Sequence, residues 1–342
     1  MKRIALLVLI FGLCGATPAA AQQWLLNADA SHFHMQTAKA NSIIETHRFT
    51  GLDGSVSPSG DATIKIDLTS VASGIDVRDV RMRFLLFETY KFPSAEVTAK
   101  LDMSKLNQLT STTRISYPLK FVLNLHGVKR EIDAPVTVTR VSDKTVSVAT
   151  AAPIILTADA FGLAAGVSKL SEAVGGIPIV TAASITFDLM FETGEKIPVI
   201  EAARSQAAKR RIEIETAAIS PEACETRFSV ISTTGAIYFR TGSAELDRES
   251  DPLLASVADI ANRCPSVKIQ VSGHTDAIGG RASNRILSQH RAQSVAEFLT
   301  QRGVAAPRIE TAGFGDTRPV APNDNESNRS KNRRIEFLVL QR

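Results

Sequence analysis

Short runs of alternating apolar residues fill the first half of the chain, and they constrain its fold more than any other feature. In each run the apolar side chains stand two positions apart, which is the spacing of a β-strand with one buried face. Clusters of glycine and serine separate the runs and are typical of turns. Many short strands at short intervals predict an all-β sandwich or barrel. The clearest runs are Ile64-Ile66-Leu68, Phe121-Leu123-Leu125, Val136-Val138, Val146-Val148 and Ile185-Phe187-Leu189-Phe191.

A barrel of this length raises the question of whether it sits in a membrane. Membrane barrels carry girdles of Trp and Tyr at both interfaces. This half of the chain supplies only Trp24, Tyr90 and Tyr117 for such girdles. We therefore expect the apolar faces to line an interior, and an outer-membrane β-barrel with a periplasmic anchor stays the alternative.

Five blocks of the same half of the chain stand in a fixed order: Trp24, Ser73–Asp79, Lys91-Phe92-Pro93, Leu125-His126-Gly127-Val128 and Ile185–Leu189. Together they resemble the YceI family. The resemblance implies a lipocalin-like antiparallel barrel whose apolar cavity can hold an isoprenoid-type chain. The sequence departs from the family at Arg81-Met82-Arg83, where His-Leu is more usual after Arg-Asp, so the chemistry of the cavity rim is left open. A helical segment from Asp159 to Val174 can either cover the cavity or belong to the core.

A strand followed by a helix organises the second half of the chain. Residues 267–271 alternate as in a half-buried strand, and from about residue 282 the apolar period becomes helical. Arg291 stands on the apolar stripe of this helix, four residues after Leu287 and four before Val295. A guanidinium in that place needs a carboxylate partner or a route to water. Asp276, at the end of the strand, is the nearest candidate along the chain.

The spacing of these two charges leaves two arrangements open. Asp276 and Arg291 can form an internal ion pair. They can also flank a gap about the size of one amino acid, so that Asp276 takes an ammonium group and Arg291 a carboxylate by bidentate hydrogen bonds.

Both charges belong to a series of motif blocks: Gly273-His274-Thr275-Asp276, Asn284 to Val295, Gly313-Phe314-Gly315 and Asn332-Arg333-Arg334-Ile335-Glu336. These blocks resemble the OmpA C-terminal-like domain. The resemblance implies an α+β domain of order βαβαββ that binds peptidoglycan non-covalently. It further implies that Asp276 and Arg291 hold the amino-acid end of meso-diaminopimelate in the stem peptide. Thr275, Asn284 and Arg333 also match motif positions and are predicted to bind peptidoglycan.

The first 21 residues are typical of a secretory signal peptide. Lys2 and Arg3 precede an apolar run from Ile4 to Leu13, and three alanines end at Ala21 in a small-residue cleavage site. The predicted location is therefore the periplasm, in association with peptidoglycan and the outer membrane.

The cysteine content agrees with export. Removal of the signal peptide would also remove Cys14 and leave Cys224 and Cys264. An even pair in an exported chain predicts a disulfide. The formal net charge of +4 is mild and spread along the chain, so no nucleic-acid partner is expected.

Motif order and composition divide the chain into a signal peptide (1–21), a YceI-like barrel (22–191), a linker (192–221) and an OmpA-like domain (222–342). No nucleophile elbow, phosphate loop or catalytic carboxylate pair stands in a usable context, so we predict a binding protein and not an enzyme. The expected partners are peptidoglycan and an amphiphilic lipid in the barrel; no metal or other cofactor is expected. An enzyme acting on an envelope lipid or wall precursor is a further alternative.

Overall fold

The computed structural model of the chain describes residues 23–235 and 237–340, and the predicted signal peptide lies outside the described residues. Two hydrophobic cores mark an N-terminal barrel and a C-terminal α/β body. The strands of the first body are β1 (Trp24–Leu26), β2 (His32–Lys39), β3 (Ile43–Phe49), β4 (Leu52–Val56), β5 (Asp61–Asp67), β6 (Val71–Ala72), β7 (Ser94–Lys100), β8 (Arg114–Leu125), β9 (Val128–Ser142), β10 (Thr145–Thr150), β11 (Ile154–Thr157) and β12 (Ala182–Glu192).

Eight of these strands close into an antiparallel barrel. Their hydrogen-bonded order is β1-β4-β5-β7-β8-β9-β10-β12, and β1 pairs again with β12 to close the ring. The long strand β12 also pairs with β11 and with β2, and β2 in turn leads to β3 and β6. The antiparallel barrel predicted from the sequence is confirmed.

Strand alternation sends the apolar residues inward, as predicted. Along β5, Ile66 is buried and Ile64 packs against the core, whereas Thr63 and Lys65 are exposed. Charged side chains pair across neighbouring strands on the outer face. Lys120 of β8 lies 3.5 Å from Asp133 of β9, for example.

Short helices occupy the connections of the barrel. One of them, α3, packs closely on a π-helical segment, because a Cβ atom at Gly166 would lie 2.7 Å from the Leu85 carbonyl oxygen. It falls within the segment 159–174 that was predicted to be helical. These elements are α1 (Asp76–Arg81), the π-helical segment (Met82–Leu86), α2 (Met103–Leu106), α3 (Ala164–Ala173) and 3-10 turns at Ala28–Ala30, Leu68–Ser70 and Asp159–Phe161.

The predicted linker contains a 3-10 turn (Gly194–Lys196) and a long helix, α4 (Ile197–Thr216). Arg204 of α4 pairs with Asp53 at 2.6 Å and donates to the Gly54 carbonyl oxygen at 2.8 Å, so the helix lies against β4 of the barrel. Among the residues described, none of the helices combines the length and the apolar character that crossing a membrane requires.

The C-terminal body places helices against a three-stranded sheet of order β14-β13-β15, in which β13 runs parallel to β14 and antiparallel to β15. The predicted order of helices and strands is present from α6 onward, and two helices that were not predicted, α5 and α8, are added to it. The first strand of the predicted order is reduced to a single bridge between Phe239 and Leu246. The elements are α5 (Pro221–Ser232), α6 (Asp251–Arg263), β13 (Lys268–His274), α7 (Arg281–Gln301), β14 (Ile309–Gly315), α8 (Glu326–Asn332), β15 (Ile335–Leu340) and 3-10 turns at Arg248–Ser250 and Ala306–Arg308.

Helix α5 contacts the C-terminal body on one side and the barrel domain on the other. A disulfide joins its Cys224 to Cys264 at the end of α6, with the Sγ atoms 2.03 Å apart. On the other side, Val230 packs with Val80 and Leu85 of the barrel domain. The two bodies therefore share a small apolar contact beside the π-helical segment.

Candidate functional site

Helix α7 lies directly on strands β13 and β14 because glycines face it. A Cβ atom at Gly273 would overlap the Ser288 carbonyl oxygen, and one at Gly313 would overlap the Gln289 amide nitrogen. The Gly315 amide donates to the Ser288 hydroxyl at 2.9 Å across the same contact. This packing fixes the first turns of α7 against the strand ends, where the predicted site residues lie.

Asp276 is buried at the end of β13 and has two kinds of partner. One carboxylate oxygen accepts a hydrogen bond of 3.0 Å from the Ile278 amide, which shapes the turn before α7. The other accepts a hydrogen bond of 2.7 Å from Arg333. Arg333 also contacts Glu326 at 2.5 Å, and the hydrogen bond that Arg333 donates to Asp276 is the main reason why the pKa of this guanidinium is raised. Asp276 thus pairs with Arg333 and not with Arg291.

Arg291 is a half-buried cation whose partners carry no full negative charge. Its Nε atom donates to the Ser243 carbonyl oxygen at 3.0 Å, and its guanidinium carbon lies 4.9 Å from the centre of the Phe239 ring. No carboxylate of the described residues lies within ion-pair distance of it. Burial lowers the pKa of the Arg291 guanidinium, Arg333 lowers it further, and Asp276 opposes both effects. The pKa of Arg291 therefore responds to the ion pair between Asp276 and Arg333, although Arg291 itself has no carboxylate partner in the described chain.

Asn284 and Thr275 support the loop that carries Asp276. The Asn284 amide donates to the carbonyl oxygens of Asp276 and Ile278, at 3.3 and 3.1 Å. The Thr275 amide donates to the Gly315 carbonyl oxygen at 2.9 Å, which ties the loop to β14. The Thr275 hydroxyl is buried and finds no hydrogen-bond partner among residues 23–235 and 237–340. Both residues therefore hold the backbone of the loop that carries Asp276.

Sequence reasoning missed Asn332, which orders the long polar connection between β14 and β15. The side chain is fully buried; its oxygen accepts from the amides of Val320 and Ala321, at 2.8 and 3.1 Å. Its nitrogen donates to the Asn323 side chain at 3.0 Å, and the same Asn323 oxygen accepts from the Ala277 amide at 3.1 Å. The connection is thus attached to the residue that follows Asp276. The only signal in the sequence was the position of Asn332 beside Arg333 in a motif block.

The barrel holds a second candidate site, made of two apolar cavities of about 180 and 280 Å³. Together they reach the lower part of the range of small-molecule pockets, about 300–1,000 Å³. Along β12 the larger cavity borders residues from Ala182 to Ile185, and the smaller one continues to Phe191. The two cavities therefore follow each other through the barrel, and at their junction they share Phe33, Ile66, Leu123, Leu156 and Ile185.

The larger cavity ends in charged side chains. Glu45 there pairs with Lys39 at 2.5 Å and with Arg78 at 2.8 Å. Arg81 also borders this end, and no carboxylate of the described chain lies within ion-pair distance of it. Buried His47 completes the polar end, and desolvation lowers the pKa of its imidazole. The two cavities therefore have mostly apolar walls, with this cluster of charged side chains at the end of the larger one and a single charged residue, Arg140, beside the smaller one.

Two segments that the sequence analysis left open contribute residues to this larger cavity: the helical segment 159–174 and the triplet Arg81-Met82-Arg83. Val167 and Leu170 of α3 border it, while Phe161 and Leu163 of the same segment are buried in the barrel core, so the segment is part of the core and also borders the cavity. Arg81 and Met82 border it as well. Arg83 instead donates to the Val71 carbonyl oxygen at 3.4 Å, and burial lowers the pKa of its guanidinium.

Comparisons with known proteins divide the chain in the same way. Residues 24–192 match the YceI-like domain, and residues 238–333 match the OmpA family. The peptidoglycan-binding protein ArfA of Mycobacterium tuberculosis is 39% identical over 107 residues, which are 31% of this chain and 33% of ArfA. The probable lipoprotein YiaD of Escherichia coli is 36% identical over 110 residues, which are 32% of this chain and 50% of YiaD. This chain therefore spans between a third and a half of the length of these relatives.

A solved structure that matches half of the chain is also known. It is a polyisoprenoid binding domain from Saccharophagus degradans, 34% identical, and the match covers 50% of this chain and 98% of that domain with a TM-score of 0.49.

Proposed function

We propose that this chain, which joins a YceI-like domain to an OmpA-family domain, is a periplasmic binding protein that holds peptidoglycan in one domain and an amphiphilic lipid in the other. The observation that carries the first part is Arg291, a half-buried guanidinium without a counter-charge close to the buried carboxylate of Asp276. An anionic ligand stabilises such a cation, because folding has already removed much of the guanidinium from water and binding does not have to repeat that free-energy cost.

The ligand that suits this arrangement carries both charges on one carbon. The free end of meso-diaminopimelate in a peptidoglycan stem has an ammonium and a carboxylate group in that relation. Asp276 accepts hydrogen bonds from the ammonium group, and Arg291 takes the carboxylate by two parallel hydrogen bonds. Arg333 orients the Asp276 carboxylate and keeps its second partner, Glu326, when the ammonium group binds. Asn284 and Thr275 hold the loop.

Competition with soluble stem peptides tests this specificity. The full chain is sedimented with purified peptidoglycan sacculi that contain diaminopimelate, in the presence of a tripeptide ending in meso-diaminopimelate or in lysine. Lysine lacks the second carboxylate, so its peptide cannot pair with Arg291. We expect the diaminopimelate peptide to release the chain at a concentration about 30-fold lower, which corresponds to about 2 kcal/mol. Equal competition by both peptides would contradict the diaminopimelate assignment while leaving wall binding itself intact.

The lipid part of the proposal is supported by the cavities. They follow each other through the barrel with mostly apolar walls, and the larger one ends in charged side chains, which suits a single long prenyl or acyl chain with a polar head. The outer face carries charged pairs such as Lys120 with Asp133, and at the middle of a bilayer a lipid-facing wall disfavours a lysine by about 2–4 kcal/mol and an aspartate by less. This observation favours a barrel that encloses lipid over one that is embedded in it.

A larger side chain at the junction of the two cavities tests lipid binding. Leu156 borders both cavities, and its neighbour Ile155 is 63% exposed on the same strand. Leu156→Trp should fill the junction and prevent a delipidated chain from taking up geranylgeraniol or palmitic acid, whereas Ile155→Trp should not. Overpacking typically costs about 1–3 kcal/mol of stability, so the fold is checked by circular dichroism. Undiminished uptake by a folded Leu156→Trp variant, or no uptake by the wild type, would count against the proposed lipid site.

A further inference from the structure

Exposed aliphatic side chains gather at the charged mouth of the barrel. Most large apolar residues of the described chain are buried or half-buried. Five of the exposed ones, with exposed fractions between 38% and 64%, lie in three neighbouring segments, at the tip of the β2–β3 hairpin, before α1 and in the loop 177–180: Ile43, Ile44, Ile75, Ile177 and Val180. Contiguous exposed aliphatic residues mark a surface that another apolar phase covers.

Backbone hydrogen bonds hold these loops together. In the β2–β3 hairpin, Lys39 stands opposite Ile43. The Ala40 amide donates to the Pro178 carbonyl oxygen at 2.9 Å, and the Val180 amide donates to the Ala38 carbonyl oxygen at 2.9 Å. The loop 177–180 therefore runs beside the hairpin tip.

An ion pair connects the segment that contains Ile75 to the β2–β3 hairpin. Ile75 precedes α1, and Arg78 of that helix pairs with Glu45 of the hairpin at 2.8 Å. Ile75 and Val180 both border the larger cavity as well as being exposed. The aliphatic residues therefore surround the entrance to the cavity.

The same entrance has an excess of positive charge. Lys39, Arg78 and Arg81 border it, and Glu45, which pairs with the first two, is the one carboxylate that borders the same cavity in the described chain. Basic residues beside exposed aliphatic ones suit the surface of an anionic bilayer, where phosphate groups lie above the acyl chains.

We propose that this end of the barrel docks on an anionic phospholipid bilayer. The five aliphatic side chains enter the boundary between headgroups and acyl chains, and the three basic side chains meet the phosphates. The lipid then enters the larger cavity through the docked mouth, and its apolar chain does not cross water. This inference depends on the proposed lipid-binding function of the barrel.

Vesicle binding tests the docking surface. The full chain is sedimented with phosphatidylcholine vesicles that contain or lack phosphatidylglycerol. The double variant Ile43→Asp with Ile177→Asp places two negative charges in the surface. Val141→Asp is the matched control, because Val141 is 48% exposed, as Ile43 is 49%, but lies by the β9–β10 turn at the opposite end of the barrel. We expect the wild type and the control to bind phosphatidylglycerol vesicles and the double variant to bind them at least ten-fold more weakly.

Lipid uptake from detergent micelles separates this proposal from the one on which it depends. Palmitic acid supplied in detergent should load the double variant as well as the wild type, because no bilayer is involved. Loading from detergent without wild-type binding to vesicles, or equal vesicle binding by the double variant, overturns the docking surface and leaves the lipid site intact. A wild type that takes no lipid even from detergent overturns both.

Discussion

Arg291→Ala is expected to leave the peptidoglycan fraction in a sedimentation assay with sacculi. The substitution removes the group that takes the ligand carboxylate, and the loss of one member of a desolvated charge pair typically costs about 2–5 kcal/mol, or about 30-fold or more in affinity. The fold should lose far less. Arg291 forms no ion pair within the described chain, and its contacts there are one hydrogen bond to Ser243 and a stack on Phe239.

Two further variants make this result specific. Arg285→Ala removes an exposed guanidinium from the same helix and should sediment like the wild type. Arg291→Lys keeps the charge but loses the planar pair of donors, so intermediate binding is expected. Melting temperatures of all three are compared with that of the wild type. If folded Arg291→Ala protein still sediments like the wild type, Arg291 does not bind the stem peptide.

The local elements of the site could be predicted because their signals are local. Strand alternation over 267–271 and the helical period that follows are both present in the structure as β13 and α7. The place of Arg291 on the apolar stripe is also a matter of spacing within one helix. Burial of the guanidinium, and with it the need for an anion, follows from that spacing.

The partner of Asp276 could not be predicted in the same way. The chain neighbours suggested Arg291, but the hydrogen bond comes from Arg333, which is 57 positions away along the chain. That approach depends on β15 pairing antiparallel to β13, which brings Ile335 opposite Gly273. Long-range sheet register carries little signal in a single sequence.

Two helices of the C-terminal body were also absent from the prediction. Helix α8 has no apolar stripe to reveal it, and it begins where the Asn325 side chain accepts a hydrogen bond from the Asn328 amide at 2.9 Å. Helix α5 overlaps the predicted boundary between linker and domain. In the barrel, alternation showed which residues face inward. Whether the interior is filled or hollow depends on how side-chain volumes sum across all strands, which periodicity does not report.

Asp276→Asn is expected to weaken peptidoglycan binding as strongly as the loss of Arg291 does. Asparagine keeps an oxygen that can accept from the Ile278 amide, so the turn before α7 should persist. The neutral asparagine side chain no longer compensates the positive charge of the ligand ammonium group. The nearby positive charge of Arg333 then repels that ammonium group. A loss of about 30-fold or more in affinity follows, because the ammonium group would be buried without a counter-charge.

A comparison with the residues around Asp276 separates ligand binding from support of the fold. Glu326→Gln removes the other carboxylate of Arg333 from a position at the surface, and it should change affinity little, because exposed ion pairs contribute at most about 1 kcal/mol. Arg333→Ala removes the group that orients Asp276 but leaves the carboxylate in place, so it should cost less than Asp276→Asn. If Asp276 served only to anchor Arg333, the two substitutions would have equal effects, and their double variant would bind no worse than either one. Peptidoglycan sedimentation of the three single variants and the double variant therefore decides whether Asp276 contacts the ligand or only holds the loop.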